Sequence, residues 1–118
     1  MPRDVPSRVG LLQGTLDLLI LRTLLAGPTH GHAIAKHIQR TSEDLLAVET
    51  GSLYPALHRL EAKGWIAPSW ELSNKGKRAR FYRLTPLGRR QLAAEQSKWD
   101  AFSRAMALIL NPVDQEAQ

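Results

Sequence analysis

The sequence predicts a mainly α-helical fold with one small β-hairpin and a single long helix near its C-terminal end. Three observations carry this. Apolar residues recur at helical spacing in four separate stretches. Two short runs rich in aromatic and branched residues, 65–72 and 79–84, flank Ser73-Asn74-Lys75-Gly76-Lys77-Arg78, whose Asn and Gly favour a turn. A last helical pattern of roughly 25 residues begins at Thr85-Pro86, a cap followed by a first-turn proline, and ends before Asn111-Pro112.

Composition bounds what such a fold can do. A chain of 118 residues makes one domain with a modest core, and 43% hydrophobic with 23% charged residues separates it from disordered chains. Zero cysteines remove disulfides, thiolate zinc sites and cysteine nucleophiles together. The longest apolar run, residues 16–25, is too short for a bilayer and is broken by Asp17 and Arg22. Residues 1–10 carry charges and two prolines but no apolar signal core. A soluble, cytoplasmic protein with no membrane partner is expected.

The net charge of +5 is unevenly spread. Residues 1–50 hold five Lys/Arg against five Asp/Glu, residues 51–90 nine against two, and residues 91–118 two against four. The excess therefore falls on the third helix and the hairpin after it. Such a segment suits a polyanion, although a solvated basic face without a partner has the same composition.

In chain order, residues 1–10 are expected to be a flexible arm. The first helix is predicted over residues 13–26, stopped by Gly27-Pro28. Leu16, Leu18, Leu19, Ile20, Leu21, Leu24 and Leu25 are too many for one stripe, so a second buried surface is expected against another subunit, with Leu16 and Leu19 at it. Thr29-His30-Gly31 is read as a turn into a second helix over residues 31–40, with Ile34, Ala35 and Ile38 inward. Residues 41–49 connect it to the third helix, which starts at residues 50–52 with Thr50 as N-cap and ends at Lys63-Gly64. Pro55 is tolerated only near a helix start and fits that beginning.

Leu53, Leu57 and Leu60 give the third helix a core side, leaving Ser52, Tyr54, His58 and Arg59 on the other. A polar, aromatic-bearing helix start has the shape of a helix that enters a DNA groove. Two helices joined by a connection and followed by a hairpin form a winged helix-turn-helix, here over residues 11–85. Its basic tip places Lys75, Lys77, Arg78 and Arg80 where a wing meets phosphates. Thr50 and Pro55 complete the expected DNA-binding set. Arg59 ranks below His58, because it can instead pair with Glu61 or another carboxylate.

The last helix, residues 86–111, would span about 37 Å, longer than a small domain is wide. Leu92, Trp99, Phe102, Met106, Ile109 and Leu110 form an apolar seam along it, most economically buried by a second copy. A homodimer is expected, with residues 112–118 a disordered tail.

The chain resembles the PadR family of bacterial transcriptional regulators. The matching residues are the run 16–25, His30-Gly31, the eleven residues Gly51-Ser52-Leu53-Tyr54-Pro55-Ala56-Leu57-His58-Arg59-Leu60-Glu61, Lys63-Gly64, and Tyr82-Arg83-Leu84-Thr85 with Gly88. They cover about residues 11–90, and the single C-terminal helix looks like the short subfamily. The second helix departs from the family's usual Gly-Tyr with Gly31-His32. The resemblance implies a dimeric repressor that binds an inverted-repeat operator in double-stranded DNA and is released by a small molecule. It places Ser52, Tyr54, Pro55 and His58 on the DNA-facing side, and Lys77, Arg78 and Arg80 in the wing. It also places Trp99 where multidrug-binding members line a flat pocket across the dimer axis.

Each of these has a plainer reading. Tyr54 can touch a phosphate or simply cover the core. Trp99 and Phe102 read first as packing; across a two-fold, paired indoles could also sandwich a planar aromatic effector. His32 and His37 lie five apart, a poor match to one helix face, so no metal is expected. Ser52 has no neighbouring base with an orienting partner, and Asp17 stands alone in an apolar helix, so no enzyme and no cofactor are expected. The alternatives to a DNA-binding regulator are a winged-helix module for protein contacts and a ligand-binding dimer without DNA activity.

Overall fold

The computed structural model describes residues 13–72 and 74–111. The elements run α1 (Gln13–Leu25), β1 (Thr29–His30), α2 (Gly31–Thr41), α3 (Thr50–Ala62), β2 (Ile66–Leu72), β3 (Arg78–Leu84) and α4 (Pro86–Leu110). The fold is mainly helical with a small antiparallel sheet, as the sequence predicts. The expected arm over residues 1–10 and tail over residues 112–118 lie outside the described residues.

The sheet has three strands, not two, in the order β1-β3-β2. Thr29 and His30, read from sequence as a turn, pair with Tyr82 and Phe81. Two residues are too few to show alternation; the free edge of β3 recruits them. β2 and β3 pair from Ile66↔Leu84 out to Leu72↔Arg78, and Gly76 turns the tip at a φ of 77°.

α1 lies at the centre, touching α2, α3, β3 and α4. Ile20, Leu21, Ile34, Leu57, Leu60 and Ile66 are fully buried around it. This corrects one expectation. Leu16 and Leu92, assigned above to a subunit interface, are 3% and 4% exposed in the single chain's own core. α1 buries its second apolar side against α4 rather than reserving it for a partner, and Leu19 remains only half-buried.

The helix ends are built from local chemistry. α3 closes with Gly64 N–H on the Glu61 carbonyl and Trp65 N–H on the Leu60 carbonyl, both 3.0 Å, with Gly64 left-handed at φ 77°. Its start differs from expectation. Glu49, not Thr50, occupies the N-cap, without a side-chain cap bond, and Thr50 is the first helical residue. Thr85 caps α4: its Oγ1 accepts from Gly88 N at 3.0 Å and donates to the Gly64 carbonyl at 2.7 Å. The last turn of α3 is thereby tied to the first turn of α4. Beyond Leu92, α4 leaves the core, and the chain measures 60 × 35 × 21 Å.

Candidate nucleic-acid interface

α3 has two faces of opposite character. Leu53, Ala56, Leu57 and Leu60 are buried, while Thr50, Ser52, Tyr54, Pro55 and His58 are exposed. Pro55 lies inside the helix and brings no N–H, so the Gly51 carbonyl lacks its intrahelical donor on this outer side. The connection before α3 is itself structured. Gln39 Nε2 donates to Asp44 Oδ1 at 3.1 Å, and Leu46 N–H donates to Ser42 Oγ at 3.1 Å, fixing the angle at which α3 leaves α2.

Tyr54 does two things at once. It is 39% exposed, yet its ring lies against Gly31 at the start of α2. A Cβ on residue 31 would come within 3.0 Å of the Tyr54 hydroxyl and 3.1 Å of Cε1. The glycine makes room for the phenol, and the phenol in turn stays beside the outer face.

Two cations expected to meet DNA are committed inside the protein. Arg59 Nη2 donates to Asp17 Oδ1 of α1 at 2.9 Å. Asp17 is therefore not alone, and Arg59 pairs with it rather than with Glu61. Glu61 accepts instead from Arg80 Nη2 at 2.7 Å, binding the wing's base to α3. Each pair joins segments that the sequence keeps apart, so spacing rules could not find either. Both pairs hold α3 and the wing together, so Arg59 and Arg80 spend their charge within the fold and stand outside the DNA-contact set proposed below.

The remaining wing cations, Lys75, Lys77 and Arg78, are exposed. Arg78 stacks over the Trp70 ring at 5.3 Å. Sequence reasoning passed over Trp70, which is 57% exposed, and its neighbour Leu72. Strand alternation was the signal: Ile66, Pro68, Trp70 and Leu72 share one face, and only Ile66 reaches the core. At the wing's root Tyr82 is buried, and this burial pushes its phenol above the usual 10.0, against an opposing pull from Arg80 and with small additions from Glu61 and Tyr54.

On α4, Trp99, Phe102, Met106, Ile109 and Leu110 are exposed together, Ile109 at 72%. Trp99 and Phe102 lie with ring centroids 6.0 Å apart. Among the described residues, no helix is long and apolar enough to cross a membrane.

The geometry agrees with known proteins. Residues 20–94 match the transcriptional regulator PadR-like family. The chain is 32% identical over 92 residues to the transcriptional regulator Rv3488 of Mycobacterium tuberculosis, covering 78% of this chain and 82% of that one. It is 46% identical over 79 residues to an uncharacterized 37.1 kDa protein in transposon TN4556 of Streptomyces fradiae, covering 67% of this chain but only 21% of that relative. Among solved structures, a PadR family transcription regulator from Clostridium difficile superposes with a TM-score of 0.71 at 30% identity, covering 81% of this chain and 98% of that one. With a helix-turn-helix, a basic wing and this match over most of its length, the chain belongs to the PadR-like family of transcriptional regulators.

Proposed function

We propose that the chain is a homodimeric, sequence-specific DNA-binding repressor, working in the cytoplasm and released from an inverted-repeat operator by a small-molecule effector. Residues 11–85 would read DNA, and residues 86–111 would join the subunits. The observation that carries this reading is the outer face of α3, where Thr50, Ser52, Tyr54, Pro55 and His58 stand exposed while its arginine is turned inward. Hydroxyl, phenol and imidazole groups there can meet base edges and phosphates, and Lys75, Lys77 and Arg78 supply phosphate contacts from the wing.

The dimer reading is supported by α4. Its exposed seam of Trp99, Phe102, Met106, Ile109 and Leu110 is too apolar to leave in water, and a second copy offers the same surface. Joined there, two α3 helices would enter successive major grooves about 34 Å apart. A planar aromatic molecule held between the two copies of Trp99 and Phe102 would favour one separation of the heads. If that separation mismatched the operator, it would release the DNA.

In vitro selection from a random duplex pool tests the reading, followed by fluorescence anisotropy of the enriched sequence at several salt concentrations. Enrichment of an inverted repeat with a steep fall in affinity as salt rises is expected. A pool that stays random, with binding insensitive to salt, counts decisively against it.

A further inference from the structure

We propose that the cleft between α2 and the wing is a seat for the sugar-phosphate backbone of bound DNA, with Lys36 and Arg40 of α2 acting with Lys75 of the wing. The inference rests on the DNA-binding reading above and adds a contact surface distinct from the outer face of α3.

The cleft encloses about 370 Å³ and is lined by His30, His32, Lys36, Arg40, Asn74 and Lys75, with two small alanines completing it. Every ionisable group among these is a base. Among the described residues no carboxylate pairs with Lys36 or Arg40, in contrast to Arg59 and Arg80, whose charges are neutralised within the fold. Two unpaired cations, Lys36 and Arg40, beside one concavity favour an anion there.

The histidines add donors. His30 Nδ1 accepts from Ala33 N–H at 3.2 Å, so the neutral ring carries its proton on Nε2. The edge of Phe81 holds that ring at 5.3 Å, and His32 stacks beside it at 6.4 Å with planes 10° apart. The site is thus rich in fixed donors as well as charge.

Its position connects it to α3. His32 and Lys36 also line the groove on the other side of α2, together with Thr50 and Tyr54. One basic track therefore runs from the start of α3, across α2, to the wing tip. A duplex with α3 in its major groove presents a bordering strand, and this track is where that strand would lie. Linear charge counting hides it, because Lys36 and Arg40 belong to the half of the chain with no net charge.

Lys36→Gln and Arg40→Gln, assayed by anisotropy on the selected duplex across a salt series, test the proposal. Each is expected to weaken binding several-fold, alike on selected and scrambled duplexes, and to lower the slope of log affinity against log salt by about one. Melting temperatures should stay near wild type, since both side chains are exposed. Unchanged affinity and slope in both variants, while Lys77→Gln lowers the slope, would overturn this seat and leave the DNA reading intact. Failure of the wild type to bind any duplex removes both. If inorganic phosphate raises the melting temperature of the wild type but not of the two variants, with their DNA slopes unchanged, the cleft serves free anions and the backbone assignment is wrong.

Discussion

Arg59 of α3 and Asp17 of α1, 42 residues apart, meet at 2.9 Å. Asp17 is nearly buried at a side-chain exposure of 12%, and Arg59 Nε is buried without a partner of its own. Removing either partner leaves the other desolvated. Asp17→Ala and Arg59→Ala are each expected to cost about 1–3 kcal/mol, read from urea unfolding midpoints. The double variant should lose less than the sum of the two. If Arg59→Ala instead keeps full stability and loses preference at one base pair, the arginine contacts DNA after all.

Gly88 packs on the Trp65 carbonyl so tightly that a Cβ there would overlap its oxygen, and would lie 2.9 Å from Leu84 Cδ1. The oxygen belongs to backbone and cannot swing aside. Gly88→Ala should destabilise by about 2 kcal/mol or more, with α4 displaced from the domain. A thermal melt unchanged by this substitution would contradict the packing described.

Gly31 poses a subtler constraint, because its obstacle is the Tyr54 side chain. Gly31→Ala should push the phenol outward, disturbing the start of α3 more than the core. Adding Tyr54→Ala should recover the stability lost in Gly31→Ala, and unfolding of the single and double variants checks this. A double variant no more stable than Gly31→Ala alone would place the strain elsewhere.

Tyr82 gives the stability a dependence on alkaline pH. Its phenol is held above 10.0 in the folded chain, chiefly by burial. The unfolded chain therefore releases this proton first as pH rises. Tyr82's contribution is full below about 10 and declines as pH climbs from there through the folded value. Tyr82→Phe should flatten that part of the decline in unfolding free energy between pH 9 and 11, roughly the window around the usual phenol value.

Much of the fold was legible because its boundaries are written in residues with few alternatives. Gly64 ends α3, and Thr85-Pro86 starts α4, each through local backbone chemistry. What was illegible depended on distance. β1 exists because β3 had an open edge, which two residues of sequence cannot reveal. The carboxylates that neutralise Arg59 and Arg80 come from α1 and from another turn of α3, and neither is a spacing neighbour. Leu16 and Leu92 looked surplus to a small core until α4 folded back across α1 to bury them. At the candidate interface, the exposed side of α3 followed directly from its apolar period. The cleft that adds α2 to it did not, because it forms only when the wing lies alongside.

The seam of α4 should govern assembly. Phe102→Asp and Ile109→Asp put charge into its exposed stretch, where a monomer tolerates it and a packed pair does not. Sedimentation velocity should show the wild type as a dimer and the double variant as a folded monomer with a lower melting temperature. Equal sedimentation of the two would remove α4 from the interface.

The most direct measurement is a hydroxyl-radical footprint of the wild-type protein on the duplex it selects. Two protected patches on one side of the helix, with centres about 10 base pairs apart and related by a two-fold, are the predicted result. A single patch, protection spread evenly along the duplex, or two patches on opposite sides would contradict two α3 helices acting together.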